Sequence, residues 1–290
     1  MMMPSMRLKG IILIILAAIC WSFIGPLGSV AMRNHINPLE VAFWRAFLAG
    51  SCFLVLAVIS RQKPHYVQSD IPLLLGWVLF GVLLNFVSYM FAVHYVGNGL
   101  ASILLYTAPL WIIVISALIF RDFPRISQLV ALGLGLGGII AICWPGEHIQ
   151  LSLIGIMSGI ASGLGYALQY FFNNSALKRQ PIFWNFAILF LLTSLCILPF
   201  VNFAPKTPII WLSLFSLGAI ATVLAYMFWS SSMRYLIPVT VSIIALLEPA
   251  LATLWGILFF NEQPSPMIYL GGTLILLSAV LITILPQKTA

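Results

Sequence analysis

Ten long apolar stretches follow one another along the chain, and the short segments between them hold most of the charged residues. Each stretch is about 18–25 residues long, so that as a helix it could cross the roughly 30 Å of hydrocarbon in a bilayer. A membrane β-barrel would instead need short segments of alternating polarity. The pattern therefore predicts an all-α integral membrane protein. The predicted spans lie near 8–31, 39–60, 71–93, 98–120, 126–144, 151–171, 182–201, 209–231, 238–260 and 267–285.

The two halves of the chain resemble each other. A shift of 140 residues places Pro109 on Pro249, and a shift of 137 places Tyr89 and the two residues after it on Tyr226 and its two neighbours. Each half holds five predicted spans, an odd number, so the second copy must enter the bilayer in the opposite orientation. Inverted repeats of this kind are typical of secondary transporters, whose site lies near the bilayer midplane. We predict two inverted five-helix repeats, residues 1–146 and 147–290.

Composition and charge exclude a soluble domain and indicate the orientation. The chain is 62% hydrophobic and 7% charged, with a mean hydropathy of +1.11. If the N-terminus is cytoplasmic, ten of the 13 basic residues lie in inside segments and only Arg33 and Lys206 lie in outside loops. This positive-inside bias predicts that both termini are cytoplasmic. The net charge of +7 then reflects topology, and no nucleic-acid partner is expected.

Enzymatic and metal chemistry find little support in the sequence. The four cysteines lie singly in separate spans, and the four histidines show no ligand spacing, so we expect neither disulfides nor a metal site. A G-x-G-x-x-G match at 133–138 lies inside an apolar span, where close helix packing explains it better than dinucleotide binding. We expect no cofactor and no catalytic activity.

Two charged residues lie well inside the predicted hydrocarbon, where charges are costly and therefore suggest function. Glu248 lies about ten residues into the ninth span, near the midplane, and is followed by Pro249, which interrupts the helix ladder. It could exchange a proton, bind a substrate ammonium, or be a neutral structural residue. Arg45 lies in the second span and could reach the interface, cap helix carbonyls, or meet a substrate carboxylate or Glu248. Glu40, at the outer start of the same span, is expected to be solvated.

Polar and aromatic side chains at spacings of three and four predict which helix faces line a cavity, because lipid offers no hydrogen-bond partner. The alternative for each single residue is a hydrogen bond between helices. Pro109 and Pro249 are expected to kink helices near this site. The candidate binding or coupling residues are Glu248, Arg45, Tyr89, Asn85, Tyr106, Tyr166, Tyr226 and Trp21.

Short motifs then point to a family. The stretch 247–252, L-E-P-A-L-A, combines an acidic residue and a proline; Trp21-Ser22 lies in the first span; and Pro38 precedes Arg45 in the second. On these motifs, the chain length and the repeat, the chain resembles the drug/metabolite transporter superfamily and, within it, the EamA-type ten-helix permeases. Ser22 stands where that family usually has glycine.

The resemblance implies a secondary carrier with a central cavity and cytoplasmic termini. We predict a multi-pass protein of the bacterial inner (plasma) membrane that exports amino acids or related small metabolites by alternating access. Its partners are a small-molecule substrate and the lipid bilayer; proton coupling and a homodimer are left open. Alternatives within transport are an importer of a nutrient or cofactor-like metabolite and drug efflux. From other classes, a membrane-embedded enzyme, a lipid flippase and a non-transporting membrane assembly protein are also kept open.

Overall fold

The computed structural model describes residues 4–64, 68–143, 152–260 and 266–284, and all regular structure in these ranges is helical. The predicted boundary between the halves, at residues 146 and 147, lies outside the described residues. The α-helices are α1 Pro4–Ser22, α2 Ile24–Arg33, α3 Pro38–Ile59, α4 Ile71–Gly76, α5 Leu84–Leu105, α6 Ala108–Phe120, α7 Ile126–Cys143, α8 Leu153–Leu177, α9 Ile182–Ile197, α10 Pro208–Gly218, α11 Ala225–Ser232, α12 Pro238–Ala245, α13 Leu247–Phe260 and α14 Pro266–Ile284.

Nine helical segments among the described residues are long and apolar enough to cross a membrane. They coincide with nine of the ten predicted spans. The tenth, predicted at 151–171, forms α8, whose 25 residues are long enough to cross at about 1.5 Å per residue. Its glycines and polar side chains lower its hydropathy, so that length and composition alone do not mark it as a span. In lipid such a helix must bury its polar face against protein.

Several spans are interrupted. Two contain a π-helical segment, Trp77–Leu83 between α4 and α5 and Ala219–Leu224 between α10 and α11. Two others break just before a proline: α5 ends ahead of Tyr106 and Thr107, and α12 ends ahead of Leu246. Pro109 and Pro249 therefore lie in the first turns of α6 and α13, where a missing backbone N–H leaves no helical hydrogen bond unmade.

α7 and α14 touch through their backbones. A β-carbon added to Gly138 would lie 2.6 Å from the carbonyl oxygen of Gly271, and one added to Gly271 would lie 2.5 Å from that of Gly138. Nearby, the Ser278 hydroxyl donates a hydrogen bond to the Ala131 carbonyl at 2.5 Å. Only glycine permits this approach, which is typical of helix pairs in membranes.

Aromatic side chains fill the middle of the bundle and join α3, α9 and α11. Phe53 on α3 packs on Phe186 of α9 at 5.0 Å between ring centroids. The Tyr226 ring on α11 then meets Phe186 and Phe190 edge-on, at 5.5 and 4.9 Å. This buried core holds Tyr226 in place beside the polar residues of the interior.

The expectation that Glu40 is solvated is wrong, because its side chain is fully buried. Lys206, in the segment before α10, folds over the start of α3 and forms an ion pair with the Glu40 carboxylate. The backbone N–H of Ala204 and the indole N–H of Trp44 donate hydrogen bonds to the same carboxylate at 3.1 and 3.3 Å. The distant residues Lys206 and Ala204, together with the nearby Trp44, therefore take the place of the water expected around Glu40.

Candidate functional site

The site begins where the breaks before α6 and α13 come together. Glu248 is the second residue of α13, and the Tyr106 hydroxyl, just after the end of α5, lies close enough to its carboxyl group to interact with it electrostatically. The positive end of a helix dipole also favours a carboxylate in a first turn. A narrow cavity adjoins the two breaks and leaves about 10 Å³ for the centres of water-sized molecules, roughly what one water needs. Its walls include Tyr106, Pro109, Tyr166, Tyr170, Ser242 and Leu246.

Arg45 approaches this region from α3. Its Nε–H donates a hydrogen bond to the Thr222 hydroxyl oxygen at 2.9 Å, and its guanidinium lies 5.7 Å from the centre of the Phe86 ring. Its contacts in the structure are therefore with side chains of neighbouring helices. Its electrostatic neighbours include Glu248 and Tyr226.

Arg45 and Glu248 do not form a direct ion pair. The ion pairs seen between described residues include Arg179–Asp70 and Lys206–Glu40, and none joins Arg45 to Glu248. The two interior charges are nevertheless close enough to attract each other electrostatically. The tyrosines within electrostatic range of Glu248 are Tyr89, Tyr106, Tyr166, Tyr170 and Tyr226. The site thus holds two opposite charges, apart from each other, among phenol groups.

A row of aromatic rings links the first helix to the cavity. Trp21 meets Tyr226 edge-on at 5.9 Å between ring centroids, and Tyr226 meets Trp229 at 5.4 Å. Trp229 meets Tyr170 at 5.2 Å, and Tyr170 meets Tyr166 at 5.7 Å. The structure therefore brings the predicted residues Trp21, Tyr166 and Tyr226 into one continuous aromatic surface.

Two of the predicted site residues, Asn85 and Tyr89, form hydrogen bonds with other residues of the helix bundle. The Asn85 side-chain amide donates a hydrogen bond to the Ser162 carbonyl at 2.9 Å, which matches the alternative of a bond between helices. The Tyr89 hydroxyl pairs with that of Ser102 at 3.1 Å. Asn85 is buried in this packing, whereas Tyr89 keeps its place within electrostatic range of Glu248.

Four further residues of the predicted polar and aromatic faces lie in this region beside the eight main candidates: Thr222, Gln169, Tyr170 and Trp229. The Tyr226 hydroxyl donates a hydrogen bond to the Gln169 side-chain oxygen at 3.1 Å. Tyr170 follows Tyr166 by four residues and so shares the polar and aromatic face that the sequence predicts to line the cavity. Nothing local marks Thr222 as the partner of Arg45.

Known proteins of one transporter family resemble this chain over most of its length. Residues 8–144 and 153–284 each match the EamA-like transporter family. An uncharacterized transporter of Archaeoglobus fulgidus is 30% identical over 253 residues, which cover 86% of this chain and 88% of the relative. The pseudopaline exporter CntI of Pseudomonas aeruginosa is 23% identical over 290 residues, covering 94% of this chain and 95% of the exporter.

A solved crystal structure shares the fold with a TM-score of 0.80 over 97% of this chain and 96% of the other, at 17% sequence identity. The uncharacterized transporter YwfM of Bacillus subtilis is 24% identical over 287 residues, or 95% of this chain and 94% of the relative. Since the family match covers most of the sequence, the chain belongs to the EamA-like transporter family, within the drug/metabolite transporter superfamily.

Proposed function

We propose that this protein is a secondary transporter that exports amino acids or related small metabolites by alternating access. The observation that carries the proposal is the arrangement of Glu248 and Arg45, two opposite charges held near each other without pairing. Charges inside a membrane are costly, so an unpaired arrangement is best explained by a ligand that completes it. The name of the pseudopaline exporter supports export as the direction.

The chemistry of the site favours a zwitterionic substrate. Glu248 would bind its ammonium group, and Arg45 would bind its carboxylate through a planar fork of N–H donors. The aromatic surface from Trp21 to Tyr166 would hold the apolar part and add cation–π attraction for the ammonium. Proton exchange on Glu248 would couple uptake of a proton to release of the substrate.

The proposed architecture is ten spans in two inverted five-helix repeats, residues 1–146 and 147–290, with both termini cytoplasmic in a bacterial inner membrane. Three observations support it. The family matches each half separately. Each half has a π-helical segment in its third span, and each has a helix break just before a proline in its fourth.

Counterflow of labelled amino acids in proteoliposomes tests the function. Wild type is compared with Glu248→Gln, which keeps the shape of the side chain, and with Leu254→Ala, a control on the same helix whose side chain is 42% exposed. We expect saturable counterflow in wild type and in Leu254→Ala, stimulation by a pH gradient, and no transport in Glu248→Gln.

The other outcomes identify the alternatives. Transport that survives Glu248→Gln and ignores the pH gradient would make Glu248 structural and the protein a facilitator. If no amino acid moves, the substrate proposal is wrong. The same vesicles are then assayed with drugs, with nutrient-like metabolites and with a fluorescent lipid, whose movement would indicate drug efflux, import or lipid flipping.

A further inference from the structure

Thr222 is fully buried in the π-helical segment between α10 and α11. Its hydroxyl donates a hydrogen bond to the Leu217 carbonyl, five residues back, at 3.0 Å. The same oxygen accepts the Nε–H of Arg45 at 2.9 Å. A hydroxyl has one proton to donate, so the bond to Leu217 leaves a lone pair for Arg45. The donor and acceptor capacities of this contact are therefore matched.

The π-helical turn makes this geometry possible. Its wider turn brings the Thr222 hydroxyl to a carbonyl five residues earlier, and such turns are frequent at functional sites. Threonine is also stiff at χ1, because its β-carbon is branched. The backbone thus sets the direction in which the Thr222 oxygen faces Arg45.

An arginine and a carboxylate in a protein interior attract strongly, and the preferred result is a direct, two-pronged pair. Arg45 and Glu248 lie within electrostatic range but do not form one. Other groups occupy the two side chains instead: Thr222 and the Phe86 ring contact Arg45, and the Tyr106 hydroxyl lies near Glu248. Of these partners, Thr222 takes the Nε–H, one of the guanidinium donors that a direct pair would use.

We propose that Thr222 is a positioning residue that keeps Arg45 apart from Glu248, so that both charges stay available to a zwitterionic substrate. The substrate part of this inference rests on the proposed function. The separation of the two charges does not, and it can be measured without any transport. Loss of the Thr222 hydroxyl would let Arg45 move onto Glu248 and close the site.

A hydrophobic carbodiimide, dicyclohexylcarbodiimide, tests the separation directly because it modifies protonated carboxyl groups within membranes. The full-length protein in detergent is labelled at pH 7, and modification of Glu248 is quantified by peptide mass spectrometry. In wild type, Glu248 is proposed to exchange between an ionised and a protonated form, and the protonated form reacts. In Thr222→Val, which has a similar shape but no hydroxyl, a direct pair with Arg45 should favour the ionised form and reduce labelling by about tenfold. Thr222→Ser retains the hydroxyl and should label like wild type.

The double variant Thr222→Val/Arg45→Gln supplies the internal control. Without the guanidinium, loss of the hydroxyl should no longer matter, so the double variant should label like Arg45→Gln alone. Equal labelling of Glu248 in Thr222→Val and wild type would overturn the proposal. Reduced labelling that persists in the double variant would also overturn it, since the effect would then not pass through Arg45. Thr222→Ala replaces Thr222→Val if the latter does not fold.

A transport assay separates the positioning role of Thr222 from the proposed zwitterionic substrate. Thr222→Val should raise the KM for amino acids about tenfold with a smaller change in maximal rate, because substrate must displace the new pair. Thr222→Ser should restore the wild-type KM. If wild type carries no amino acid but the labelling pattern holds, the substrate proposal fails and the positioning role of Thr222 stands.

Discussion

Glu40 and Lys206 form an ion pair from opposite halves of the chain, with side-chain exposures of 0% and 5%. The ammonium of Lys206 also lies 5.3 Å from the ring centre of Trp44 and 5.5 Å from that of Trp211. Burying two charges is costly, and only additional hydrogen bonds and cation–π contacts offset the cost. The pair therefore ties the start of α3 to the segment before α10.

Removing one partner of this pair should destabilise the protein strongly. Lys206→Met leaves the Glu40 carboxylate buried without its counter-charge, and we expect a loss of about 3–5 kcal/mol in the free energy of unfolding. Thermal unfolding in detergent measures it. The double variant Glu40→Leu/Lys206→Met should recover part of the loss.

Arg179→Met is the matched control for this prediction. Arg179 pairs with Asp70 at 3.5 Å, but its side chain is 54% exposed, and the buried Asp70 carboxylate keeps a hydrogen bond from the Gln180 side-chain amide at 2.6 Å when Arg179 is replaced. The loss of Arg179 should therefore cost less than about 1 kcal/mol. Equal costs for Arg179→Met and Lys206→Met would mean that burial does not set the strength of the Glu40 pair.

The glycine contact between α7 and α14 gives a second prediction about stability. Gly138→Ala places a β-carbon 2.6 Å from a backbone oxygen that cannot move freely, so we expect a loss of about 1–3 kcal/mol. Gly133→Ala, on the same helix, meets nothing within 4 Å and should leave stability unchanged or raise it by up to about 1 kcal/mol. Chemical denaturation in detergent compares the two, and the reverse order would contradict the helix contact.

Tyr106→Phe should impair transport without unfolding the protein. The phenol hydroxyl lies near the Glu248 carboxyl group, and a hydrogen bond that it donates to this group during transport would be worth about 1.5–3 kcal/mol. We expect kcat/KM in the counterflow assay to fall at least about tenfold. Tyr269→Phe, whose ring on α14 is 64% exposed, is the control and should transport normally. Unchanged transport in Tyr106→Phe would remove Tyr106 from the site.

The predicted orientation can be tested by labelling single cysteines. In a variant without Cys20, Cys52, Cys143 and Cys196, Arg33→Cys should react with a membrane-impermeant maleimide in intact cells, because it lies in an outside loop. Arg121→Cys should react only after permeabilisation. Both side chains are exposed, so access to the thiol is limited by the membrane alone. The opposite pattern would place the termini outside.

Hydropathy and the cost of burying charge predict the positions of most helices and two of the candidate site residues. The long apolar runs predict where helices lie, and Glu248 and Arg45 stand out because charges in such runs are costly. Pro109 and Pro249 indicate where helices break, since the effect of proline on the backbone is local. Each of these signals lies within a single helix, so it can be recognised without knowing which helices are neighbours.

What the sequence could not predict is which distant groups meet. Glu40 has the pattern of a solvated helix start, and only the fold brings Lys206 onto it. The partner of Arg45 could not be predicted either, because a π-helical turn in another span brings Thr222 to it. For α8, packing against other helices buries polar side chains. These side chains lower the mean hydropathy of the helix, so that hydropathy alone does not identify it as a membrane span.

The backbone contact between Gly138 and Gly271 also limits how the protein can move. One glycine lies in the first half of the chain and the other in the second. Because no side chain separates the two backbones at this point, sliding one helix along the other would bring backbone atoms into collision. In the alternating access proposed above, we therefore expect the two halves to rotate about this contact.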